Sequence, residues 1–182
     1  FFATVKKSIK SKFGVEKIDY LINNAGIGIN VPFAKTTEEQ LDTIYNIQFK
    51  GTYLLTQRAL NILNDGGGIV NVSTGLTRFA LNGFSVYASM KSAIETLTKY
   101  QAKELGDRKI RSNVIAPGAI ETDFGGGAVR DNEKMNNFIA SNTVLGRVGL
   151  PDDIGSVVAF LCTDDAKWIN AQRIEVSGGQ MI

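Results

Sequence analysis

The sequence predicts an α/β fold, a doubly wound parallel sheet with helices on both faces. Three observations carry this expectation. Short apolar runs suited to buried strands alternate with longer segments whose apolar residues recur every three to four positions. Each of the first three strands runs directly into small and polar residues, at 23–26, 73–75 and 117–118, and ligands of such sheets bind beyond the strands' carboxyl ends. No repeat or low-complexity linker divides the 182 residues, so a single domain over 1–182 is expected.

The elements follow in order. Phe2, Val5, Ile9 and Phe13 recur at helical spacing, and Gly14 stops that helix. Residues 18–22 read as a buried strand. Thr36 and Glu39 fit a capping box, opening a long helix to about Leu63. Gly66, Gly67 and Gly68 are expected in a flexible loop before a strand at 69–73. A second long helix spans about 84–105, with Val86, Met90, Ala93, Leu97 and Tyr100 on one stripe and Gly106 as its cap. Residues 110–116 form the third strand, stopped at Pro117-Gly118. The glycine-rich stretch 119–150, with a short helix near 134–141, is expected to be a substrate-binding lid. Pro151 opens a helix to Leu161, Asp152 and Asp153 suit its dipole, and 173–176 is the last strand. Trp168 and Cys162 are expected to be packing residues.

Composition excludes several functions. With 20 Lys+Arg against 18 Asp+Glu and no basic run, the chain is not expected to bind nucleic acid. No apolar run reaches the roughly 18 residues of a membrane span. The absence of histidine removes a Ser-His-Asp triad and any His metal site, and no metal is expected. The lone Cys162 makes no intrachain disulfide and favours a reducing cytoplasm.

Tyr87 and Lys91 lie four apart on the second long helix and share a face. Taken alone, such a pair is an ordinary exposed one. A nearby ammonium, however, lowers a phenol's pKa and lets tyrosine exchange a proton with an alcohol or carbonyl oxygen. Thr74, thirteen residues earlier at a strand end, offers a hydroxyl to hold that oxygen. The pieces Asn23-Asn24-Ala25-Gly26, Asn71-Val72-Ser73-Thr74, Tyr87-Ala88-Ser89-Met90-Lys91, Pro117-Gly118-Ala119-Ile120-Glu121-Thr122 and Ser177-Gly178-Gly179 occur in that order. In these, the sequence resembles the short-chain dehydrogenase/reductase family, whose fold is Rossmann-like.

The resemblance implies an oxidoreductase using NAD or NADP on a small alcohol or ketone. Tyr87 would be the acid/base, and Lys91 would tune it and hold the nicotinamide ribose. Asn23, Ala25 and Gly26 would line the cofactor, and Pro117, Gly118, Ile120 and Thr122 would cradle the nicotinamide. Two positions depart from the family pattern. Threonine stands where serine is usual, so Thr74 is the expected hydroxyl and Ser73 the reserve. Gln48 stands where asparagine usually supports a proton relay, on a stripe with Leu41, Ile44, Thr52 and Leu55; a relay role and a purely structural amide both remain open. Asn46, two residues away, should face elsewhere.

The resemblance further implies a homodimer or homotetramer through helices 38–63 and 84–105. It also implies a first strand and glycine-rich pyrophosphate turn in a preceding segment of roughly 70–90 residues. The chain is therefore expected to begin after the first crossover units, and the choice between NAD and NADP is not legible. Two rival readings stand beside the dehydrogenase: a non-catalytic nucleotide-binding or oligomerisation domain, and an epimerase or dehydratase on the same fold.

Overall fold

The computed structural model describes residues 1–182. Four strands, β1 (Ile18–Asn23), β2 (Leu63–Val72), β3 (Arg111–Pro117) and β4 (Arg173–Val176), form one parallel sheet in the order β1-β2-β3-β4. Parallel neighbours need crossovers, and helices supply them. After α1 (Phe2–Phe13), β1 connects to β2 through α2 (Glu38–Ile44), a π-helical turn (Tyr45–Gly51) and α3 (Thr52–Ala59). Helix α4 (Ser85–Glu104) joins β2 to β3, and α5 (Ala128–Asp131), α6 (Glu133–Ser141) and α7 (Pro151–Leu161) precede β4. Asn23 pairs with Asn71, Val72 with Ile115 and Pro117 with Val176, so the carboxyl ends lie along one edge.

The two faces of the sheet are built differently. Towards α7, Val70, Ile115, Leu161 and Ala166 are buried together, with Val72, Ile154, Val157, Val158 and Ile174 packed against them. Towards α4, Leu63, Ile69 and Ile110 make a smaller apolar cluster at the amino ends of β2 and β3. Beyond it Val114, Ala116 and Ile94 are buried as well, but the buried side chains at 71 and 73 are polar. Asn71 Nδ2 donates to Thr98 Oγ1 at 2.8 Å and Gln101 Oε1 at 2.9 Å, and Asn71 Oδ1 accepts from Asn23 Nδ2 at 2.8 Å. Asn23 Nδ2 also reaches Thr56 on α3, and Ser112 Oγ donates to the same Gln101 oxygen.

Several local expectations are corrected. The capping box uses Thr37 and Gln40, not Thr36 and Glu39. The long first helix is broken by the π-helical turn and ends at Ala59, and β2 begins at Leu63. Gly66–Gly68 belong to β2, where register slips opposite Asp19; a Cβ on Gly67 would lie 2.2 Å from Asp19 O, so the strand passes only with glycine there. Helix α4 ends at Glu104 and is capped by Leu105 rather than Gly106, which starts a 3-10 turn with Lys109 in the left-handed conformation. Its fully buried residues are Tyr87, Lys91, Ile94, Thr98, Gln101 and Ala102, while Val86, Met90, Ala93 and Leu97 are half-buried and Tyr100 is exposed. Leu41 is exposed rather than on a core stripe, and Trp168, 96% exposed, packs against nothing; Cys162 does pack on the apolar cluster.

Candidate active site

Helix α4 presents Tyr87 and Lys91 one turn apart, with Lys91 Nζ 5.7 Å from the Tyr87 ring centroid. Both are buried, at 7% and 5% exposure. Lys91 Nζ donates to Val72 O at 2.9 Å, which fixes the ammonium at the end of β2. Burial pushes the Lys91 ammonium down to about 8, because a desolvated charge is disfavoured. Burial likewise pushes the Tyr87 phenol up to about 12, and the Thr74 hydroxyl beside it pulls the other way. Lys91 is not among the groups that move the Tyr87 phenol, so the expected lowering by its ammonium does not appear in this structure. The ammonium's hydrogen bond goes to Val72 O rather than to the phenol oxygen.

Thr74 and Ser73 point to different places, as alternation along a strand requires. Ser73 is 2% exposed and donates to Glu95 Oε1 at 2.6 Å, away from the phenol. Thr74 has extended backbone, accepts from Leu76 N at 3.3 Å, and sets its hydroxyl against Tyr87. The 3-10 turn Gly75–Thr77 follows it.

Gln48 sits in the π-helical turn, a feature often found at functional sites. It is 1% exposed; Nε2 donates to Ile27 O, and Oε1 is buried without a partner. A Cβ on Gly26 would lie 2.8 Å from that oxygen, so Gly26 and Gln48 are in contact. Asn46 is exposed. Asn23 is engaged in the amide network, and Ala25 is exposed beyond it.

Across the edge, Pro117 closes β3. Gly118 is required by packing: a Cβ there would lie 2.8 Å from Gln180 Oε1 and 3.0 Å from Ser177. Ala119 N donates to Gln180 Oε1, Ile120 bridges Gly149, and Thr122 Oγ1 accepts from Phe124 N. The Ile120 N–H has no partner within the chain. Phe124 reaches back to Tyr87, with ring centroids 5.9 Å apart, and its ring fills the space a side chain at Gly28 would need.

Residues 2–181 match the family model described as enoyl-(acyl carrier protein) reductase. An uncharacterized oxidoreductase of Methylorubrum extorquens is 37% identical over 163 residues, covering 90% of this chain and 66% of that protein. The 3-oxoacyl-(acyl-carrier-protein) reductase FabG of Thermotoga maritima is 35% identical over 180 residues, 98% of this chain and 71% of its own length. The structure of the angucycline C-6 ketoreductase LanV with bound NADP superposes with a TM-score of 0.92 at 33% identity, over 99% of this chain and 69% of LanV.

The chain belongs to the short-chain dehydrogenase/reductase family.

Phe124 lies in the glycine-rich stretch expected to be the lid, whereas Glu95 is not singled out by the sequence reading. Glu95 could have been found, because it continues the spacing of Tyr87 and Lys91 by four more residues.

Proposed function

We propose that this chain carries the catalytic part of an NAD(P)-dependent oxidoreductase that interconverts an alcohol and a ketone. The observation that carries the reading is convergence at the sheet edge. A buried tyrosine on α4 is met by the hydroxyl of Thr74, just past the end of β2, and flanked one turn away by Lys91. Thr74 would orient the substrate oxygen, and Tyr87 would give or take its proton. Its high pKa keeps Tyr87 protonated at neutrality, the form needed to donate to a developing alkoxide. Lys91, held on Val72 O, would hold the ribose of the cofactor and stabilise the phenolate as it forms. Gln48 Oε1, a buried acceptor without a partner, suits proton supply better than a purely structural amide.

The donor set fits a nicotinamide. The free Ile120 N–H and the Thr122 hydroxyl suit a carboxamide, and Pro117 and Gly118 turn the backbone beneath it. Asn23, Ala25 and Gly26 would line the opposite wall. When bound, the dinucleotide supplies or accepts the hydride at the substrate carbon. LanV holds NADP, which favours NADP here. The lid over 119–150 would set substrate choice, with Phe124 nearest the phenol.

We also propose a homodimer or homotetramer through 38–63 and 84–105. Leu41, Tyr45, Tyr53 and Leu54 on the first segment and Tyr100 on the second are exposed apolar groups suited to a two-fold contact. No helix is long and apolar enough to cross a membrane, and the single cysteine favours the cytoplasm.

The test is Tyr87→Phe in the full-length protein, with NADPH or NADH and a panel of ethyl acetoacetate, cyclohexanone and α-tetralone. Turnover should fall about 10²- to 10⁴-fold. Unchanged turnover, or no net nicotinamide oxidation by the parent enzyme on any of the three ketones, overturns the reading.

A further inference from the structure

Behind the proposed site lies a chain of charged groups that the family motifs do not include. Glu95, one turn after Lys91 on α4, accepts at Oε1 from Ser73 Oγ at 2.6 Å, Thr77 Oγ1 at 2.7 Å and Arg173 Nε at 2.8 Å. Arg173, at the start of β4, also donates to Thr74 O at 3.3 Å, Thr77 Oγ1 at 3.1 Å and Glu175 Oε2 at 3.0 Å. Glu175 in turn accepts Arg78 Nε at 2.8 Å and Nη2 at 2.7 Å, and Ser177 Oγ at 2.9 Å. Arg78 reaches onward to the carbonyls of Met181, at 3.0 Å, and Gln180. Gln180 Oε1 accepts Ala119 N at 2.9 Å. One connected path therefore runs from α4 through the Thr74 turn and β4 to the chain's last residues, and on to the 117–122 turn.

Geometry distinguishes Arg173 within that path. Its planar fork contacts the peptide carbonyl of Thr74, the residue whose hydroxyl meets Tyr87, and the anchor of the helix that carries Tyr87. A lysine offers a point charge and cannot span those acceptors. The pairs are partly exposed, with side-chain exposures of 18% to 33%, so they add little to global stability. Displacing a reacting group by an ångström, in contrast, lowers a rate by up to about 100-fold.

We propose that Arg173 is a positioning residue that, through Glu95 and Glu175, sets Thr74 against Tyr87 and ties the last residues to the 117–122 turn. The proposal rests on the alcohol–ketone function above. It also gives Ser73 a part: its hydroxyl anchors Glu95 rather than meeting substrate.

The test compares Arg173→Met and Arg173→Lys with the parent full-length enzyme, using NADPH and the fastest ketone of the panel. Arg173→Met should lower kcat about 10- to 100-fold, with KM for the ketone and the thermal midpoint little changed, and Arg173→Lys should fall between. Amide hydrogen exchange supplies a readout independent of turnover: Leu76, Arg78 and Ala119 should exchange at least about tenfold faster in Arg173→Met, while the β2 and β3 core amides keep their protection. Parental kcat in Arg173→Met overturns the proposal, and so does a lowered kcat with unchanged exchange at those three amides. A Tyr87→Phe control separates the two claims. If Tyr87→Phe is inactive while Arg173→Met keeps parental kcat, positioning alone fails; if Tyr87→Phe keeps turnover, the function fails first.

Discussion

The face of the sheet under α7 and the face under α4 bury their residues by different mixes of apolar contact and hydrogen bonding. Under α7 the contacts are aliphatic, centred on Val70, Ile115 and Leu161. Such contacts stabilise in proportion to the area they remove from water and tolerate small slides. Under α4, Ile94, Val114 and Ala116 are buried too, but Asn71 and Ser73 are hydrogen-bonded to Thr98, Gln101 and Glu95. Hydrogen bonds are directional, and a helix rotated off them would leave buried amides unpaired. The polar face therefore sets where Tyr87 and Lys91 point, and the apolar face supplies much of the stability that makes such a layer affordable.

The comparison can be broken in three ways, from the largest effect to the smallest. Ile115, fully buried on the apolar face, should lose about 2–5 kcal/mol of stability as Ile115→Ala, measured by urea unfolding. Turnover per folded molecule should stay near the parent's; a collapse of kcat would show that the faces do not divide the work.

Lys91 gives the next effect, read by pH. Its ammonium is depressed from 10.5 to about 8 by burial. Below pH 8 the burial penalty is present in full. Between about 8 and 10.5 the unfolded chain holds a proton that the folded one releases, so stability rises with pH, by about 3 kcal/mol. Tyr87 opposes this at higher pH: its phenol, raised from 10.0 to about 12, keeps a proton the unfolded chain has lost, so stability falls across that upper window. Urea midpoints across the two windows should show the rise and then the fall, and Lys91→Met should remove the rise. A rise that survives Lys91→Met would place its source elsewhere.

Asn71→Leu is the mildest. It removes both of the donor contacts to Thr98 and Gln101 and the acceptor for Asn23, for a loss of about 1–3 kcal/mol. Unlike Ile115→Ala, it should lower kcat along with stability. Parental kcat in Asn71→Leu would mean that the amide layer is structural only.

The same contrast explains what was legible beforehand. The centres of the four strands and the α6 and α7 helices follow from runs of apolar residues and from Pro151, signals that lie within one element, whereas the start of β2 at Leu63 does not. Tyr87, Lys91, Thr74 and Asn23 stood out because each lies in a short motif through which the sequence resembles the family. The buried stripe of α4 did not: Val86, Met90, Ala93 and Leu97 have the apolar period, yet the stripe inside is another one, which includes the polar Lys91, Thr98 and Gln101. Their burial depends on Asn71 and Ser112 waiting on the strands, partners far away in sequence. Thr36-Thr37-Glu38-Glu39-Gln40 offers two frames for a capping box, and only the backbone selects Thr37 with Gln40. The π-helical turn around Gln48 and the passage of Gly67 over Asp19 O are likewise set by tertiary contact. Arg173 belongs to no motif and acquires its place only when β4 lies beside the Thr74 turn.

The most direct measurement is a paired one on the full-length protein: kcat with NADPH and the fastest ketone, together with the thermal midpoint, for Tyr87→Phe and Ile115→Ala. The expected result is a crossed pattern. Tyr87→Phe should lose about 10²- to 10⁴-fold in kcat with its midpoint kept, and Ile115→Ala should lose midpoint with its kcat kept. Parental kcat in Tyr87→Phe would contradict the placement of proton transfer on the polar face.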